Sequence, residues 1–521
     1  MLFQIGSLNT AALTAPGEYV QIVPPTTRYI NGVPTNILGY VGTASWGPVN
    51  APVLIGSPQD QSTYLGNPNV RANDLSTAVS VALQLGQANI RTVRVTDGTD
   101  TAAAIPLVDT AGTPVTGITL TAAYTGTVGN TITASIAAGT KASSYKLLVS
   151  RPGYTSETFD NITGTGLALW QAMVAAVNNG NSAARGPSQL VIATVGTSTA
   201  LPNITNSYTL IGGTDGVTTI TGATLVGIDG TTRKGMYALR GTGVQTATLV
   251  DHVDSTAWGT IATFGAQEGI FFGAQAASGN NYAATSTLLN TAGADSAWLK
   301  VFVGDWVIWN DPVNTTQRLL GPATAWAALR ASLAPYQSTL NKPVLPIIGT
   351  TRSNQTQPYS QTELGAAATA RLDYLANPSA GGNYFSFQTD RNSSSDPNLN
   401  SEAYTTMTNF LALTLAQSFG FVIGQPQTAT LRTTAQNSIQ SLLLNLWKPS
   451  SGPSMIGDPN APQAVPYSVQ INASNNPNSQ VALGYMSAYV KVKYLSIVRY
   501  FIVSLEGGSS VSVTVSATVP F

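Results

Sequence analysis

Residues 38–55 read LGYVGTASWGPVNAPVLI, in which two apolar segments flank a turn rich in glycine and proline. Apolar segments of this length, bounded by such turns, predict β-strands. Asp74 then predicts the N-cap of a helix in which an apolar residue recurs every four positions. The predicted elements are strands over residues 35–41, 52–55 and 90–95 and a helix over residues 75–85. This part of the chain therefore has mixed β and α character.

The same alternation of strands and helices returns after residue 208. Apolar runs of strand length are separated by helix-like segments such as residues 324–333. The runs lie at residues 248–250, 269–272, 298–309 and 344–349. This order predicts an α/β domain with a mostly parallel sheet. Residues 377–400 are rich in Asn, Ser, Gly and Pro, which predicts a loop or a domain boundary.

A region of different composition separates these two parts. From Asp97 to about Leu210 the chain is dominated by Thr, Ala, Gly and Val and has few charges. Short alternating segments at residues 118–123, 131–136 and 145–149 predict strands, and residues 167–177 predict one helix. The pattern predicts a β-rich domain inserted between two halves of the α/β domain.

The C-terminal part contains the clearest predicted helix, from Thr430 to Leu446. Its apolar stripe consists of Leu431, Ala435, Ile439, Leu442, Leu443 and Leu446. Beyond it, strands are predicted at residues 467–471, 481–493 and 496–505.

Both chain ends are predicted to be short arms capable of forming strands. At the N-terminus, residues 18–22 alternate and stop at Pro24, with no local partner strand in view. At the C-terminus, Val511, Val513 and Val515 alternate with polar residues. The predicted fold class is α+β and multidomain. The predicted division is an arm at 1–23, an α/β domain from 24–97 and 211–400, an inserted domain at 98–210, a C-terminal domain at 401–508 and an arm at 509–521.

The composition points to association. Hydrophobic residues make up 43% of the chain, charged residues only 9%, and the net charge is zero. A surface with so few charges has little colloidal repulsion, and neutral polar groups can be buried against a partner more cheaply than charges. Self-assembly is favoured over the alternative, a secreted β-protein rich in Thr and Asn. Direct binding to nucleic acid is disfavoured because there is no basic excess to displace counterions.

The chain offers few groups for catalysis or metal binding. It contains no cysteine, which excludes disulfides, thiolate zinc sites and cysteine nucleophiles. The single histidine, His252, is predicted to lie in a solvated polar turn, the alternative being a metal or catalytic group. The segment from Gly42 to Gly47 lacks the Lys and Ser/Thr of a phosphate loop, so a turn at a strand end is predicted. The prediction is no catalytic residue, no metal and no cofactor.

Two further features of the sequence, one polar and one aromatic, each allow two interpretations. Asp215, in a glycine-rich turn, could suggest a calcium site but is predicted to cap the turn or a following helix. Trp298, Trp306 and Trp309 could form a sugar-stacking surface, but their position in apolar strand regions favours core packing.

The sequence also bears on location. The first 27 residues contain no Lys or Arg, so the basic flank of a secretory signal is missing. The most apolar stretch, residues 481–505, is interrupted by Lys491, Lys493 and Arg499, which makes membrane insertion costly. A protein made in a cytoplasm and soluble until it assembles is therefore expected.

Several short motifs, taken in order, resemble the contractile tail sheath proteins of myovirus-type phages and contractile bacteriocins. The blocks are Pro16-Gly17-Glu18-Tyr19-Val20; Leu38 to Gly42 followed by Gly47-Pro48 and by Pro52 to Ile55; Tyr64-Leu65-Gly66; Arg91 to Val95; Tyr124-Thr125-Gly126 with Gly129-Asn130; Leu210 to Gly216; and Leu446-Trp447 with Val481, Gly484 and Val490. Together they span nearly the whole chain. Residues 21–23 lack the acidic residue of that family, and residues 493–496 lack its Pro-Glu ending.

The resemblance implies a structural, non-enzymatic subunit of a phage tail sheath in the virion. Such subunits assemble in the host cytoplasm as helical rows around a tail tube and contract to drive the tube through the host envelope during genome ejection. It implies an inner C-terminal domain, a middle α/β domain of subtilisin-like shape and an outer inserted domain. The implied partners are further copies of the chain, the tail tube protein, and baseplate and tail terminator proteins.

The arms suggest how copies would be joined. Extended segments can add strands to the exposed sheet edge of a neighbour. The predicted donors are Tyr19, Val20, Gln21, Ile22, Val511, Val513 and Val515, and the predicted accepting sheet contains Tyr489, Val490, Val492, Ile497, Val498, Phe501 and Val503. Arg432, Gln436 and Gln440 are the tube-facing candidates. The alternative is that the arms fold back on their own subunit, and the alternative function is a secreted β-rich adhesin or glycan-binding protein.

Overall fold

A seven-stranded sheet lies at the centre of the chain, which the computed structural model describes over residues 3–5, 20–22, 30–182, 185–352 and 358–503. In spatial order its strands are Leu372–Asp373, Leu299–Phe302, Phe271–Gln275, Thr246–Leu249, Leu38–Gly42, Ile90–Arg94 and Pro52–Ile55. Neighbouring strands are parallel except at Pro52–Ile55, which runs antiparallel to Ile90–Arg94. The predicted α/β region with a mostly parallel sheet is confirmed.

Helices cover both faces of this central sheet because adjacent strand residues point to opposite sides. Phe271 packs edge-on against Trp326 on one face, with ring centroids 5.0 Å apart, and Phe272 approaches Phe264 on the other, at 6.1 Å. Asp74 accepts a hydrogen bond from the Thr77 N–H at 2.9 Å, so it is the predicted N-cap. The helices of this region are Pro58–Tyr64, Leu75–Gln84, Gly222–Val226, Trp258–Glu268, Tyr282–Ala292, Pro322–Ser332 and Gln361–Thr369, with 3₁₀ turns at Gly235–Leu239 and Ser255–Ala257.

The apolar run at residues 298–309 forms two strands and not one. Leu299–Phe302 belongs to the central sheet, whereas Val307–Asp311 pairs antiparallel with Thr316–Leu320 and Ile347–Thr350. The chain turns at Gly304, where a Cβ would overlap the Ala277 carbonyl oxygen. A further short antiparallel pair consists of Leu375–Ala376 and Ser386–Phe387.

Two antiparallel sheets and a helix lie between residues 104 and 209. One sheet has the strand order Glu157–Ile162, Tyr145–Ser150, Thr133–Ala138 and Ser207–Thr209; the other has Val191–Val195, Thr116–Ala122 and Ala104–Val108. The helix Leu167–Asn179 and the 3₁₀ turn Thr127–Thr131 complete this unit, which has its own hydrophobic core around Trp170. The chain enters and leaves it side by side, since the Asp97 N–H donates to the Gly216 carbonyl at 2.9 Å.

The C-terminal region is built on two long helices, Glu402–Ser418 and Ala429–Trp447. The predicted stripe is buried at Ala435, Ile439, Leu442, Leu443 and Leu446, while Leu431 is half-buried. The remaining elements are a 3₁₀ turn at Gly420–Val422, a helical turn at Asn478–Val481 and an antiparallel pair of strands, Tyr467–Gln470 and Tyr489–Val492.

Two strand predictions in this region are wrong in part. Residues 481–488 form no strand, and a helical turn from Asn478 closes into Gly484, whose φ of 82° favours glycine. The strand therefore begins only at Tyr489. The described part of the second predicted strand, residues 496–503, has no ladder partner in the described chain and forms no strand.

At the N-terminus, Val20–Ile22 forms a strand that pairs in parallel with Phe3–Ile5. The prediction that this segment has no local partner is therefore wrong. The pairing joins Phe3 to Val20 and Ile5 to Ile22.

Candidate inter-subunit surface

The antiparallel pair Tyr467–Gln470 and Tyr489–Val492, here called the C-terminal sheet, holds three of the predicted accepting residues, Tyr489, Val490 and Val492. One of its faces packs on the helix Ala429–Trp447, where the rings of Trp447 and Tyr467 meet edge to face at 6.4 Å. Within the described residues this sheet has only two strands. Two-stranded sheets are marginally stable alone, so its outer edges are suited to receive further strands.

The segment that follows, residues 498–503, exposes a run of large apolar side chains. Val498, Tyr500, Phe501, Ile502 and Val503 are all exposed, and Phe501 is 87% exposed. The remaining predicted accepting residue, Ile497, is half-buried. A contiguous exposed apolar run of this kind is typical of an interaction surface.

This exposed segment is anchored to the central domain by one ion pair. Arg499 donates to Asp390 through Nε at 2.6 Å and Nη2 at 2.9 Å, a bidentate geometry, and Asp390 is buried. The Ser401 hydroxyl donates to the same carboxylate at 2.7 Å. Sequence reasoning took Arg499 only as an interruption of an apolar stretch, because its partner lies more than a hundred residues away.

The donor residues are described only in part. Val20, Gln21 and Ile22 lie in the strand that pairs with Phe3–Ile5. Tyr19, Val511, Val513 and Val515 lie outside the described residues. Their exchange between subunits stays a prediction.

The tube-facing candidates share one side of the helix Ala429–Trp447. Arg432, Gln436 and Gln440 follow one another at intervals of four, and all three are half-buried. In the described part of the chain the Nε of Arg432 has no hydrogen-bond partner. The tube-facing role of these residues stays a prediction.

His252 does not lie in a solvated turn, and that prediction is wrong. The side chain is 4% exposed because Gly222 and the residues after the strand Thr246–Leu249 close over it. Burial lowers the pKa of the imidazole to about 4, despite the nearby Asp254 carboxylate. In the described residues neither ring nitrogen has a hydrogen-bond partner, and no group of three His, Asp or Glu side chains could hold a metal ion.

Of the three tryptophans, Trp309 lies in the protein interior, whereas Trp298 and Trp306 are half-buried. Trp309 is buried and its indole N–H donates to the Gln84 side chain at 2.8 Å. Trp298 donates to Asn409 and Trp306 to the Ala276 carbonyl, at 2.8 and 3.0 Å. Core packing is confirmed for Trp309, which is buried. Trp298 and Trp306 are half-buried, with their indole N–H groups bonded within the protein.

Asp215 connects the inserted unit to the central domain. Its carboxylate accepts from the Thr127 N–H at 2.6 Å and the Ser45 hydroxyl at 2.9 Å, and it pairs with Arg71 at 2.5 Å. Burial would raise the pKa of this carboxyl, but these donors outweigh it and the pKa is lowered. The prediction that Asp215 caps its own turn or a following helix is wrong, because its carboxylate accepts the Thr127 N–H at the start of the 3₁₀ turn Thr127–Thr131, which precedes it in the chain.

Comparison with known proteins identifies the fold. No family model matches the sequence, and no curated protein matches it. The structure resembles the crystal structure of the sheath tail protein from Listeria innocua, with a TM-score of 0.59, 15% identity, and coverage of 90% of this chain and 96% of that one. For the sheath tail protein from Desulfitobacterium hafniense the TM-score is 0.55, with 16% identity and coverage of 87% and 93%.

A third similar structure comes from an assembled sheath. The helical sheath of the anti-feeding prophage in its contracted state gives a TM-score of 0.54 and 10% identity, covering 95% of this chain and 99% of that one. The chain therefore has the fold of contractile tail sheath proteins, which confirms the fold implied by the sequence resemblance. Among the described residues no helix is long and apolar enough to cross a membrane.

Proposed function

We propose that this chain is the structural subunit of a contractile tail sheath, which polymerises helically around a tail tube and contracts to drive that tube through a host envelope. The observation that carries the proposal is the likeness to a contracted helical sheath over 95% of this chain and 99% of the other. A likeness that covers both chains almost completely concerns the whole subunit and not one shared domain.

The division of the chain supports the same proposal. The central α/β unit has two hydrophobic clusters, and the β-rich unit between residues 104 and 209 and the helical C-terminal region each have one of their own. We assign them as the middle, outer and inner domains, with arms at both ends. The low charge content supports polymerisation, because surfaces with few charges can be buried between copies at low desolvation cost.

Strand addition is the proposed means of joining copies. The arms at residues 1–23 and 509–521 would pair with the edges of the C-terminal sheet of a neighbour. Each added ladder hydrogen bond contributes roughly 0.5–1.5 kcal/mol net. A short strand therefore adds a few kcal/mol per subunit, which becomes large when summed over a polymer. The extended polymer would be metastable, and contraction would form better packing between outer parts of the subunits.

Further partners are part of the proposal. Similar chains occur in structures of the anti-feeding prophage baseplate. We assign the tail tube, baseplate and tail terminator proteins as partners, the virion tail as the final location and the host cytoplasm as the site of assembly. The subunit has no enzymatic role in this proposal. Arg432 would face the tube, and Arg432→Glu is expected to weaken sheath binding to the tube at low salt.

Negative-stain electron microscopy of the purified chain tests the proposal. Tubes or rings are expected, and a variant lacking residues 1–23 is expected to stay monomeric with an unchanged far-ultraviolet circular dichroism spectrum. Monomers whose melting temperature rises with added sugars would contradict the sheath and support the adhesin instead. No solved structure described above is an adhesin, so we do not propose that function.

A further inference from the structure

Three charged side chains form a cluster inside the central domain, here called the buried triad: Lys300, Asp373 and Glu402. The Lys300 Nζ lies 2.8 Å from Asp373 Oδ2 and 3.0 Å from Glu402 Oε2, and all three side chains are fully buried. A buried salt bridge is by itself weak evidence for stability, because desolvation of the charges can exceed their mutual attraction. The arrangement also brings an amine and a carboxyl group into contact, which are the two groups that an amide bond joins.

The backbone places Lys300 and Asp373 on the same face of the central sheet. Their strands, Leu299–Phe302 and Leu372–Asp373, are parallel neighbours, and Phe302 lies opposite Asp373. Because strand residues two apart face the same side, Lys300 projects with Phe302 and Asp373. Glu402, the first residue of the helix Glu402–Ser418, reaches the same point from the C-terminal region.

Aromatic side chains enclose the buried triad. The Lys300 ammonium lies 5.9 Å from the centre of the Phe302 ring, which in turn packs against Phe387 at 5.4 Å. The Trp326 indole N–H donates to Glu402 Oε2 at 3.2 Å.

Polar groups complete the setting: the Lys300 Nζ also donates to the Thr389 carbonyl at 2.9 Å, and Glu402 accepts from the Ser338 and Thr339 hydroxyls. Burial keeps out water that could reverse a condensation.

The Asp373 carboxyl is polarised by the backbone. Its Oδ1 accepts three N–H groups, from Tyr374 at 2.8 Å, Thr389 at 2.9 Å and Gln388 at 3.0 Å. Donors fixed on one oxygen stabilise the negative charge that develops there when a nucleophile attacks the carbonyl carbon. The other oxygen, Oδ2, is the one held against Lys300.

The pKa values of the two carboxyl groups of the buried triad are shifted in opposite directions. Burial raises the pKa of Asp373, and the Lys300 ammonium does not offset it. At Glu402, burial is outweighed by Lys300, Arg330 and the hydrogen bonds of Ser338 and Thr339, and the pKa is lowered to about 2. Burial alone would lower the pKa of Lys300, but the Asp373 and Glu402 carboxylates outweigh it and the pKa is raised, so the cluster starts as an ammonium beside the ionised Glu402, which is placed to accept its proton.

We propose that Lys300 and Asp373 condense into an intramolecular isopeptide bond, with Glu402 as the catalytic residue that moves the protons. The Lys300 Nζ forms a bond to Asp373 Cγ, and the Cγ–Oδ2 bond breaks. Of the three protons on the Lys300 ammonium, one stays on the amide nitrogen and two leave with Oδ2 of the carboxylate as water. Glu402 takes one proton from Nζ and passes it to Oδ2, the second proton moves from Nζ to the adjacent Oδ2 directly, and Glu402 ends unchanged.

The environment also fits the product. The amide carbonyl oxygen keeps the backbone donors of Oδ1. Glu402 loses its Lys300 partner but retains the Ser338 hydroxyl at 2.6 Å and the charge of the buried Arg330. The bond would join the edge strand Leu372–Asp373 covalently to its neighbour, which would hold the sheet edge under mechanical load.

Mass spectrometry of the purified full chain tests this proposal. The denatured protein is expected to be lighter than its sequence by one water. Trypsin is expected to leave the bond after Lys300 uncut and to yield residues 241–318 joined to residues 372–391. A full mass, with cleavage after Lys300, would overturn the proposal and leave the buried triad as a salt bridge.

Matched variants separate the roles of the residues. Glu402→Gln and Lys300→Met are each expected to restore the full mass, whereas the exposed control Lys141→Met is expected to keep the loss of water. Loss of water in Glu402→Gln equal to that of the unaltered chain would contradict the catalytic role of Glu402. If a variant fails to fold, the mass of the unaltered chain still decides the question.

Discussion

The central sheet and the C-terminal sheet differ in how completely this chain covers them. The seven-stranded central sheet has helices on both faces, and its strands Leu38–Gly42 and Phe271–Gln275 are buried at every residue. The C-terminal sheet has two strands in the described residues, packs one face on a helix and is followed by exposed apolar side chains. The difference shows that the central sheet is covered within one subunit, whereas the C-terminal sheet keeps open edges in the described residues. Strands from other copies are our proposed partners for those edges.

Removing a charge from the buried triad should cause the largest loss of stability. Compared with the uncondensed ion pairs, Lys300→Met leaves two buried carboxyl groups without their cation, so the free energy of unfolding is expected to fall by about 3–5 kcal/mol, and by more where the isopeptide bond has formed. Urea denaturation measures this free energy of unfolding. Lys141→Met, on the exposed surface, is the control, and a fall no larger than that of the control would contradict the buried role.

Lowering the pH should also destabilise the central domain, because His252 is buried there. The folded pKa is lowered to about 4, below the ordinary value near 6.5, so the unfolded chain takes up the proton first. The free energy of unfolding is therefore expected to fall as the pH drops from about 6.5 to about 4, by up to about 3 kcal/mol. Denaturation measured at several pH values in this range should show that the free energy of unfolding falls less for His252→Gln than for the unaltered chain. An identical pH dependence in both proteins would refute the assignment.

The ion pair that anchors the exposed segment should have a smaller effect. Arg499→Gln removes two charge-assisted hydrogen bonds from the buried Asp390, which is expected to cost about 1–3 kcal/mol. Lys493→Gln is the matched control, because its pair with Asp458 is exposed and should contribute less than about 1 kcal/mol. Thermal melting compares the two. Equal effects would show that the Arg499 pair is no anchor.

The exposed segment itself should contribute least to the stability of the single subunit. Phe501→Ser is expected to change the free energy of unfolding by no more than about 0.5 kcal/mol, because the ring is 87% exposed. The same variant is expected to reduce the yield of tubes in sedimentation, since the ring would be buried between copies. If Phe501→Ser destabilised the single subunit but left the yield of tubes unchanged, the segment would stabilise its own subunit and not the contacts between copies, contrary to this account.

Local patterns in the sequence predicted much of the fold. The helix at Ala429–Trp447, the Asp74 N-cap and the strands beside Gly42 follow from periodicity and from capping residues, which act over a few positions. The motifs also identified the sheath fold, which the solved structures support. Their order along the chain carried information that no single motif held.

The rest depends on distant partners. A lysine within Leu299–Phe302 is an unusual residue for a buried strand, but its carboxyl partners come from residues 373 and 402. His252 looked solvated because its neighbours in sequence are charged, whereas Gly222 closes over it in space. The strand predicted at residues 496–503 has the right composition, yet no strand lies beside it within the described chain. The accepting role of that segment stays a prediction for the same reason.

Electron cryo-microscopy of the assembled polymer tests the dependence of the C-terminal sheet on other copies most directly. We expect density for strands from neighbouring subunits on the edges of Tyr467–Gln470 and Tyr489–Val492, continuous with residues 1–23 or 509–521 of those neighbours. A polymer in which both edges stay unpaired, or in which each arm pairs only within its own subunit, would contradict the account.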